Sequence, residues 1–184
     1  IQMISFNALI EGLFNGTSMV PDTVTIELRN SSTPFTLIDQ SKILLSSSGT
    51  GSANFNSAEN NTPYYLVLKH RNSLETWSAT TQTFDSGTML YDFTSSSGKA
   101  FGNNLKLING KWCIYSGDVN QDGFIETADV SSVFVNGING VTGYTNSDLN
   151  GDLITNEEDI NLAFQNNIIG LQTMAPAGAR GKSK

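Results

Sequence analysis

The sequence predicts a mainly β protein, an antiparallel β-sandwich followed by a small two-helix module. Three observations carry that expectation. Short apolar runs alternating with polar residues, and separated by Gly, Ser, Asn and Pro, fill the chain up to about residue 115. From Gly117 the composition turns abruptly acidic. Within the acidic part, residues spaced by 30 positions recur.

The strand signals come in order along the chain. Ile1 opens an apolar, strand-competent segment over residues 1–10, and Gly12, Asn15-Gly16 and Pro21 after it read as a flexible hinge. Val24, Ile26 and Leu28 alternate with Thr23, Thr25 and Glu27 at period two. Further runs lie at 42–45, 52–55, 65–68, 75–78, 89–93 and 105–115. Between them, Ser46-Ser47-Ser48-Gly49, Asn60-Asn61-Thr62-Pro63 and Ser95-Ser96-Ser97-Gly98 are turn material, and Asn109-Gly110 is a hairpin turn signal. Strands at this spacing, with no helical period among them, predict a sandwich over residues 1–116. The segment 117–172 is expected to be the two-helix module, and 173–184 an extended tail rich in Ala, Gly and Lys.

Charge separates these parts. The net charge is −7, yet residues 117–160 hold nine acids and no Lys or Arg, while the rest of the chain holds eight acids and ten bases. Nine carboxylates in so short a span repel one another unless a cation sits among them, which favours a metal and disfavours DNA or RNA as a partner. Charged residues make up 15% of the chain, well below the usual quarter, and Ser, Thr, Asn and Gly take their place. That balance, with a chain starting at Ile1 rather than Met, gives the expectation of a processed, secreted, cell-surface protein. No run of 18 apolar residues offers a membrane span.

Other chemistries find little support. Cys113 is the single cysteine and sits in the apolar run Lys111-Trp112-Cys113-Ile114-Tyr115, so it reads as a buried small hydrophobe. His70, between Lys69 and Arg71, reads as a surface residue at a strand end, and zinc has no ligand set. Glu11, Glu27, Asp39, Glu59, Glu75, Asp85 and Asp92 are scattered without an acid/base context. With no G-x-S-x-G and no phosphate loop either, the expectation is a protein that is not an enzyme. Sequons at Asn15, Asn30 and Asn60 are what so Asn- and Ser-rich a chain yields by chance.

The acidic repeat carries the candidate site. Asp118, Asn120, Asp122, Asp129, Val130, Phe134 and Asn136 recur as Asp148, Asn150, Asp152, Asp159, Ile160, Phe164 and Asn166. The first copy fits D-x-N-x-D-G-x-I-x-x-x-D. Side-chain oxygens of Asp118, Asn120, Asp122 and Asp129, with the Phe124 backbone carbonyl, offer the hard oxygen set that calcium takes, and Gly123 permits the sharp turn. Ile125 is expected to pair with its counterpart in the second loop. In the register of the repeat the second copy offers Asp148, Asn150, Asp152, the Ile154 carbonyl and Asp159. There Leu153 stands in place of the glycine, and Thr155 where an apolar residue is expected. A register shifted to start at Asn146 places Gly151 at the turn, Leu153 at position 8 and Glu157 at position 12. The expectation is two calcium ions. Helices over about 127–136 and 156–167 follow, with Val130, Val133, Phe134 and Ile160, Ala163, Phe164 as the faces that pack together.

Two resemblances go further. The order of a Gly/Ser turn, Ala53-Asn54-Phe55 and Pro63-Tyr64-Tyr65-Leu66-Val67 resembles the transthyretin-like and carboxypeptidase-regulatory-like sandwiches of bacterial surface proteins, over residues 23–78. Loop followed by helix, twice, over residues 117–170, resembles the dockerin repeats of bacterial extracellular proteins, which differ from true EF-hands in having no helix before the first loop. That resemblance implies calcium in both loops and a cohesin-like partner read by loop positions 10 and 11. Here those are Thr127-Ala128 and Glu157-Glu158, unlike each other and unlike the usual small-hydroxyl pairs. The leading functional expectation is a structural subunit of an extracellular filament or surface assembly, self-associating with residues 1–10 as a strand donated to a neighbour. A dockerin-type anchor for a cohesin-like receptor and a carbohydrate-binding module are the alternatives.

Overall fold

The computed structural model describes residues 1–179. Period-two patterning produces strands where it is clearest. β1 (Gln2–Asn7), β4 (Thr50–Phe55) and β7 (Thr88–Asp92) form one sheet in the order β4-β1-β7. β2 (Asp22–Asn30), β3 (Leu37–Leu45), β5 (Tyr64–His70) and β6 (Ser73–Trp77) form the other, in the order β3-β2-β5-β6. Alternate residues of both sheets, among them Ile4, Phe6, Ile26, Leu28, Leu66 and Leu68, point into a shared core that also takes Phe55, Phe84 and Phe93. The antiparallel expectation holds for the four-stranded sheet. In the smaller sheet β1 runs antiparallel to β4 but parallel to β7.

The N-terminal segment is therefore not a loose end. β1 is the central strand of its sheet, hydrogen-bonded on both sides within its own chain. The expected hinge is also filled: Leu9, Ile10, Leu13 and Phe14 are buried in the main core, and Ile10 bridges to Ile114. Gly12 is present because there is no room for a side chain. A Cβ there would lie 2.2 Å from the Leu149 carbonyl oxygen and 2.7 Å from Leu162 Cδ2.

β8 (Lys106–Ile108) and β9 (Lys111–Cys113) form a hairpin on the Asn109-Gly110 turn, whose residues take φ of 47° and 80° as that dipeptide favours. Cys113 is buried, and burial pushes its thiol up to about 12. His70 is buried as well, correcting the expectation of a surface residue. Its Nε2 lies 3.1 Å from Asp22 Oδ2 and its Nδ1 2.9 Å from Ser73 Oγ. Charged neighbours in sequence gave the wrong impression, because Lys69 turns to Glu27 while Arg71 shares the Asp22 carboxylate with His70 and helps to bury it.

α1 (Thr127–Ile138) and α2 (Glu157–Ile169) pack together through Val133 and Ala163, both fully buried, with Val119, Leu149 and the flanks of Val130, Ile160 and Leu162. Phe134 and Phe164 do not join this contact, as the helical pattern suggested they would; they are 50% and 48% exposed. Each follows the buried residue by one position, hence by 100° around the helix, which carries it past the contact line. Residues 173–184 were expected to form an extended tail. Instead Thr173 N donates to Gly123 O at 2.8 Å, and Ala175 and Ala179 cover a cluster of Phe35, Val67 and Trp77 on the outer face of the larger sheet. Residues 180–184 of the expected tail lie outside the described residues.

Candidate metal centre

Each loop is organised by its own side chains bonding its own backbone. In the first, Asp118 Oδ2 accepts from Gly123 N (3.0 Å), Asn120 Oδ1 from Asp122 N (2.9 Å) and Asp122 Oδ1 from Phe124 N (2.9 Å). In the second, Asp148 Oδ2 accepts from Leu153 N (3.3 Å), Asn150 Oδ1 from Asp152 N (3.0 Å) and Asp152 Oδ1 from Ile154 N (2.8 Å). The scheme repeats at an offset of 30, in the register that begins at Asp148. In the shifted register Asn146 would lead the loop, but its amide donates to Val119 O at 3.2 Å, outside it.

Backbone dihedrals explain the irregular residues. Positions 4 and 6 are left-handed in both loops: Gln121 and Gly123 at φ of 61° and 86°, Gly151 and Leu153 at 78° and 70°. Each loop has one glycine for two such positions, and they chose different ones. Thr155 has a comparable account. It is buried and its hydroxyl lies 2.9 Å from Ser147 Oγ, which in turn takes Asn136 Nδ2 at 3.1 Å. Thirty residues earlier the same pair is Ile125 against Gly117, where a Cβ on the glycine would stand 3.1 Å from Ile125 Cγ2. A hydroxyl pair replaces an apolar contact at the same place.

The loops do not pair with each other as expected. Ile125 N donates to Leu171 O (2.9 Å), and Thr155 N to Val141 O (3.0 Å). Each loop is braced by the segment that follows the other repeat's helix, so the module closes only when both repeats are folded.

Asp129 and Asp159 have a role that pattern matching missed. Asp129 Oδ1 accepts from Val119 N (2.9 Å) and Asn120 N (3.3 Å) while its Oδ2 accepts from Glu126 N (3.0 Å). Asp159 does the same with Leu149 N (2.6 Å), Asn150 N (3.1 Å) and Asn156 N (2.9 Å). Each residue caps its helix and pins the start of its loop to it. An Asp three residues after the cap residue Glu126 or Asn156 is the sequence signal that would have disclosed this.

The set suits a hard cation on two counts. Three carboxylates, one amide oxygen and one backbone carbonyl per loop are calcium's donor chemistry. Asp118 is 1% exposed, and its Oδ1 is a buried oxygen with no hydrogen-bond partner among the described residues. Burial, then Asp129, then Asp122 push the Asp118 carboxyl up to about 7, so the first loop lacks positive charge where it is buried. Asp148 is also raised by burial and by Asp159, but Arg71 opposes the rise. Among the described residues no three His, Cys, Asp or Glu side chains converge as a ready metal cage. Asp129 and Asp159 face backbone N–H groups, but Oδ2 of each accepts a single N–H among the described residues and retains acceptor capacity for an ion.

Buried polar contacts join the module to the sandwich. Asn166 Nδ2 donates to Glu11 Oε2 (2.6 Å) and Ser116 O (2.8 Å), and Glu11 also pairs with Lys106. Arg71 and Asn72, in the β5–β6 turn, donate to Asp148 O at 2.7 and 2.9 Å. Hydrogen bonds from His70 and Tyr144 outweigh the burial of Asp22 and hold its carboxyl well below the usual range; burial keeps His70 below its own. Among the described residues no helix is long and apolar enough to cross a membrane.

No protein-family model matches the chain, and no curated protein matches it in sequence. Solved structures do. A chain of a type II cohesin-X-dockerin complex from Acetivibrio cellulolyticus, carrying a C-terminal interface mutation, superposes with a TM-score of 0.51 at 14% identity, over 90% of this chain and 95% of that one. A second such complex from the same organism, with an N-terminal interface mutation, gives 0.49 at 15% identity over the same shares. A match over 90% of the chain cannot stop at the sandwich, so the similarity in fold runs through the sandwich and into the two-helix module.

Proposed function

We propose that the chain is a non-enzymatic, secreted protein-interaction module of an extracellular assembly, held in shape by two calcium ions and docking a cohesin-type partner. The observation that carries this reading is the pair of loop–helix repeats with one hydrogen-bond scheme, in which the buried Asp118 Oδ1 has no hydrogen-bond partner among the described residues. Asp118, Asn120, Asp122, Asp129 and the Phe124 carbonyl hold one ion; Asp148, Asn150, Asp152, Asp159 and the Ile154 carbonyl hold the other. The ions supply the positive charge that nine carboxylates lack.

The docking face is read from what the helices leave uncovered. Phe134, Val135 and Ile138 on α1 and Phe164, Ile168 and Ile169 on α2 are all about half exposed or more. Phe134 and Ile138 correspond to Phe164 and Ile168 at the repeat offset of 30, so each helix presents the same aromatic and branched pair. Large apolar side chains on the solvent side of a short helix mark a partner surface. The fold similarity to a chain of a cohesin-X-dockerin complex supports a partner of that type.

Calorimetric titration of the purified chain against a panel of type II cohesins, in calcium and in EGTA, tests the reading. Binding in calcium that is lost in EGTA, and lost with Phe134→Ser combined with Phe164→Ser, is the expected result. No binding to any cohesin, together with filaments of the purified chain in electron micrographs, would overturn it in favour of a self-assembling subunit. That second reading draws no support from β1, which is paired on both sides within its own sheet.

A further inference from the structure

The two loops repeat each other in backbone and in ligand-type side chains, but their outer walls differ in charge. The opening carbonyl of the first loop, Asp118 O, accepts from Gln121 Nε2, a neutral amide that also reaches Ser73 O at 3.3 Å. The equivalent carbonyl of the second, Asp148 O, accepts from Arg71 Nη1 at 2.7 Å. Arg71 Nη1 donates to Thr145 O as well, and Nη2 stands 3.8 Å from Asp148 Oδ2. The guanidinium is fixed from its other side. Nε donates to Asp22 Oδ2 at 3.2 Å, and the group lies over the Tyr144 ring, 4.4 Å from its centroid. Its side chain is 11% exposed.

We propose that Arg71 is a resident cation of the second loop, which lowers that loop's calcium affinity below the first loop's and makes the two sites fill in sequence. The inference rests on the calcium reading above. A guanidinium is charged at every accessible pH, and at 3.8 Å it neutralises part of the field of Asp148 that a divalent ion would use. The first loop has a neutral amide at the matching carbonyl and, among the described residues, nothing cationic acting on Asp118. Holding the carbonyl does not require the charge, since Gln121 does so in the first loop and Asn72 Nδ2 shares Asp148 O in the second, at 2.9 Å. The charge is thus an addition to the scaffold, supplied by the sandwich. The site that fills last is then the one whose entry residues, Thr145 and Asp148, are gripped by the β5–β6 turn.

The test is a calcium titration of the full chain followed by NMR at the Gly123 and Gly151 amides, which report the loops separately. In the native protein the Gly123 amide responds at the lower calcium concentration. With Arg71→Gln the Gly151 midpoint falls by roughly tenfold while the Gly123 midpoint stays within about twofold; Arg71→Lys keeps the native order. If Arg71→Gln leaves the second loop unchanged or weakens it, Arg71 is only a structural clamp and the inference is wrong. The native protein gives an independent measure should the variant not fold. Raising KCl to about 0.5 M should weaken the first loop more than the second, whose field is already partly neutralised, and equal salt dependence overturns the inference. Calcium affinities that differ as stated, with no cohesin bound, leave the inference standing without the partner. Absence of any calcium response at either amide defeats the calcium reading and this with it.

Discussion

Replacing Gly12 by Ala should separate the contribution of the sandwich–module junction from that of either part. Gly12 sits where the Leu149 carbonyl oxygen would be 2.2 Å from an added Cβ, well under the 3.0 Å that such contacts respect. The obstacle is backbone, so no side-chain rotation relieves it. Leu149 or residue 12 has to retreat by close to 1 Å, and Leu149 is not free to do so: it is fully buried, and its N–H is bonded to Asp159 Oδ1 at 2.6 Å. Overpacking of this kind costs about 1–3 kcal/mol, and the rigid obstacle argues for the upper end, about 3 kcal/mol. For a chain of this size that is a fall in Tm of roughly 6–12 °C. Gly137→Ala is the matched control. Its nearest neighbour would be Ile160 Cδ1 at 3.4 Å, an ordinary contact, and Ala in a helix interior gains up to about 1 kcal/mol over Gly. Urea and thermal denaturation of both variants in saturating calcium gives the comparison. If Gly12→Ala lies within about 0.5 kcal/mol of the native protein, the junction is looser than these distances state and the reasoning fails.

Three further outcomes are expected. Leu153→Gly removes an exposed β-carbon from a left-handed residue at φ 70° and should stabilise the protein by about 0.5–1 kcal/mol in urea melts; a loss of stability would show that the Leu153 side chain has a contact worth more than the strain. Transfer from calcium at a hundredfold excess over Kd into EGTA should lower stability by about 2.7 kcal/mol per filled site, read as a lower Tm, and identical melting curves would remove the metal from the account. The buried Asp22–His70 pair contributes one part of the pH dependence; Asp118, raised to about 7 in the metal-free chain, opposes it by adding stability as pH falls through 7. His70 has a lowered pKa in the folded chain, so below about 6.5 the unfolded chain takes up a proton that the folded one does not, and stability falls with pH from there. Asp22 is held ionised below its ordinary value, so its stabilisation, present above about 3.9, is lost only as pH drops further. A urea midpoint that, between pH 7 and pH 5, rises in the native protein relative to His70→Gln would contradict the His70 sign.

Residue type and spacing alone determined a good part of this protein. Period-two runs such as Val24-Ile26-Leu28 yield strands because alternate residues point into the core shared by the two sheets, and Asn109-Gly110 yields a hairpin because that dipeptide favours the left-handed backbone of the turn. The 30-residue repeat yields two loops of one geometry because the Asp and Asn side chains bond backbone within five residues of themselves. These are local effects, complete within a short stretch of chain. What the tertiary structure decided lies beyond that range. The parallel β1–β7 pairing depends on strands more than 80 residues apart. Phe134 and Phe164 share a helical period with Val133 and Ala163, and only the line of contact between α1 and α2 decides which of them is covered. His70 looks like a surface residue between Lys69 and Arg71 until Asp22 is brought against it, and Arg71 meets the second loop only in the folded chain. The exchange by which each loop is braced through the other repeat's exit segment has no local signal, because it follows from the near-symmetry of two repeats folding around Val133, Leu149 and Ala163. Sequence carries the loops; burial, which no residue specifies alone, decides which carboxylates, cations and apolar faces meet.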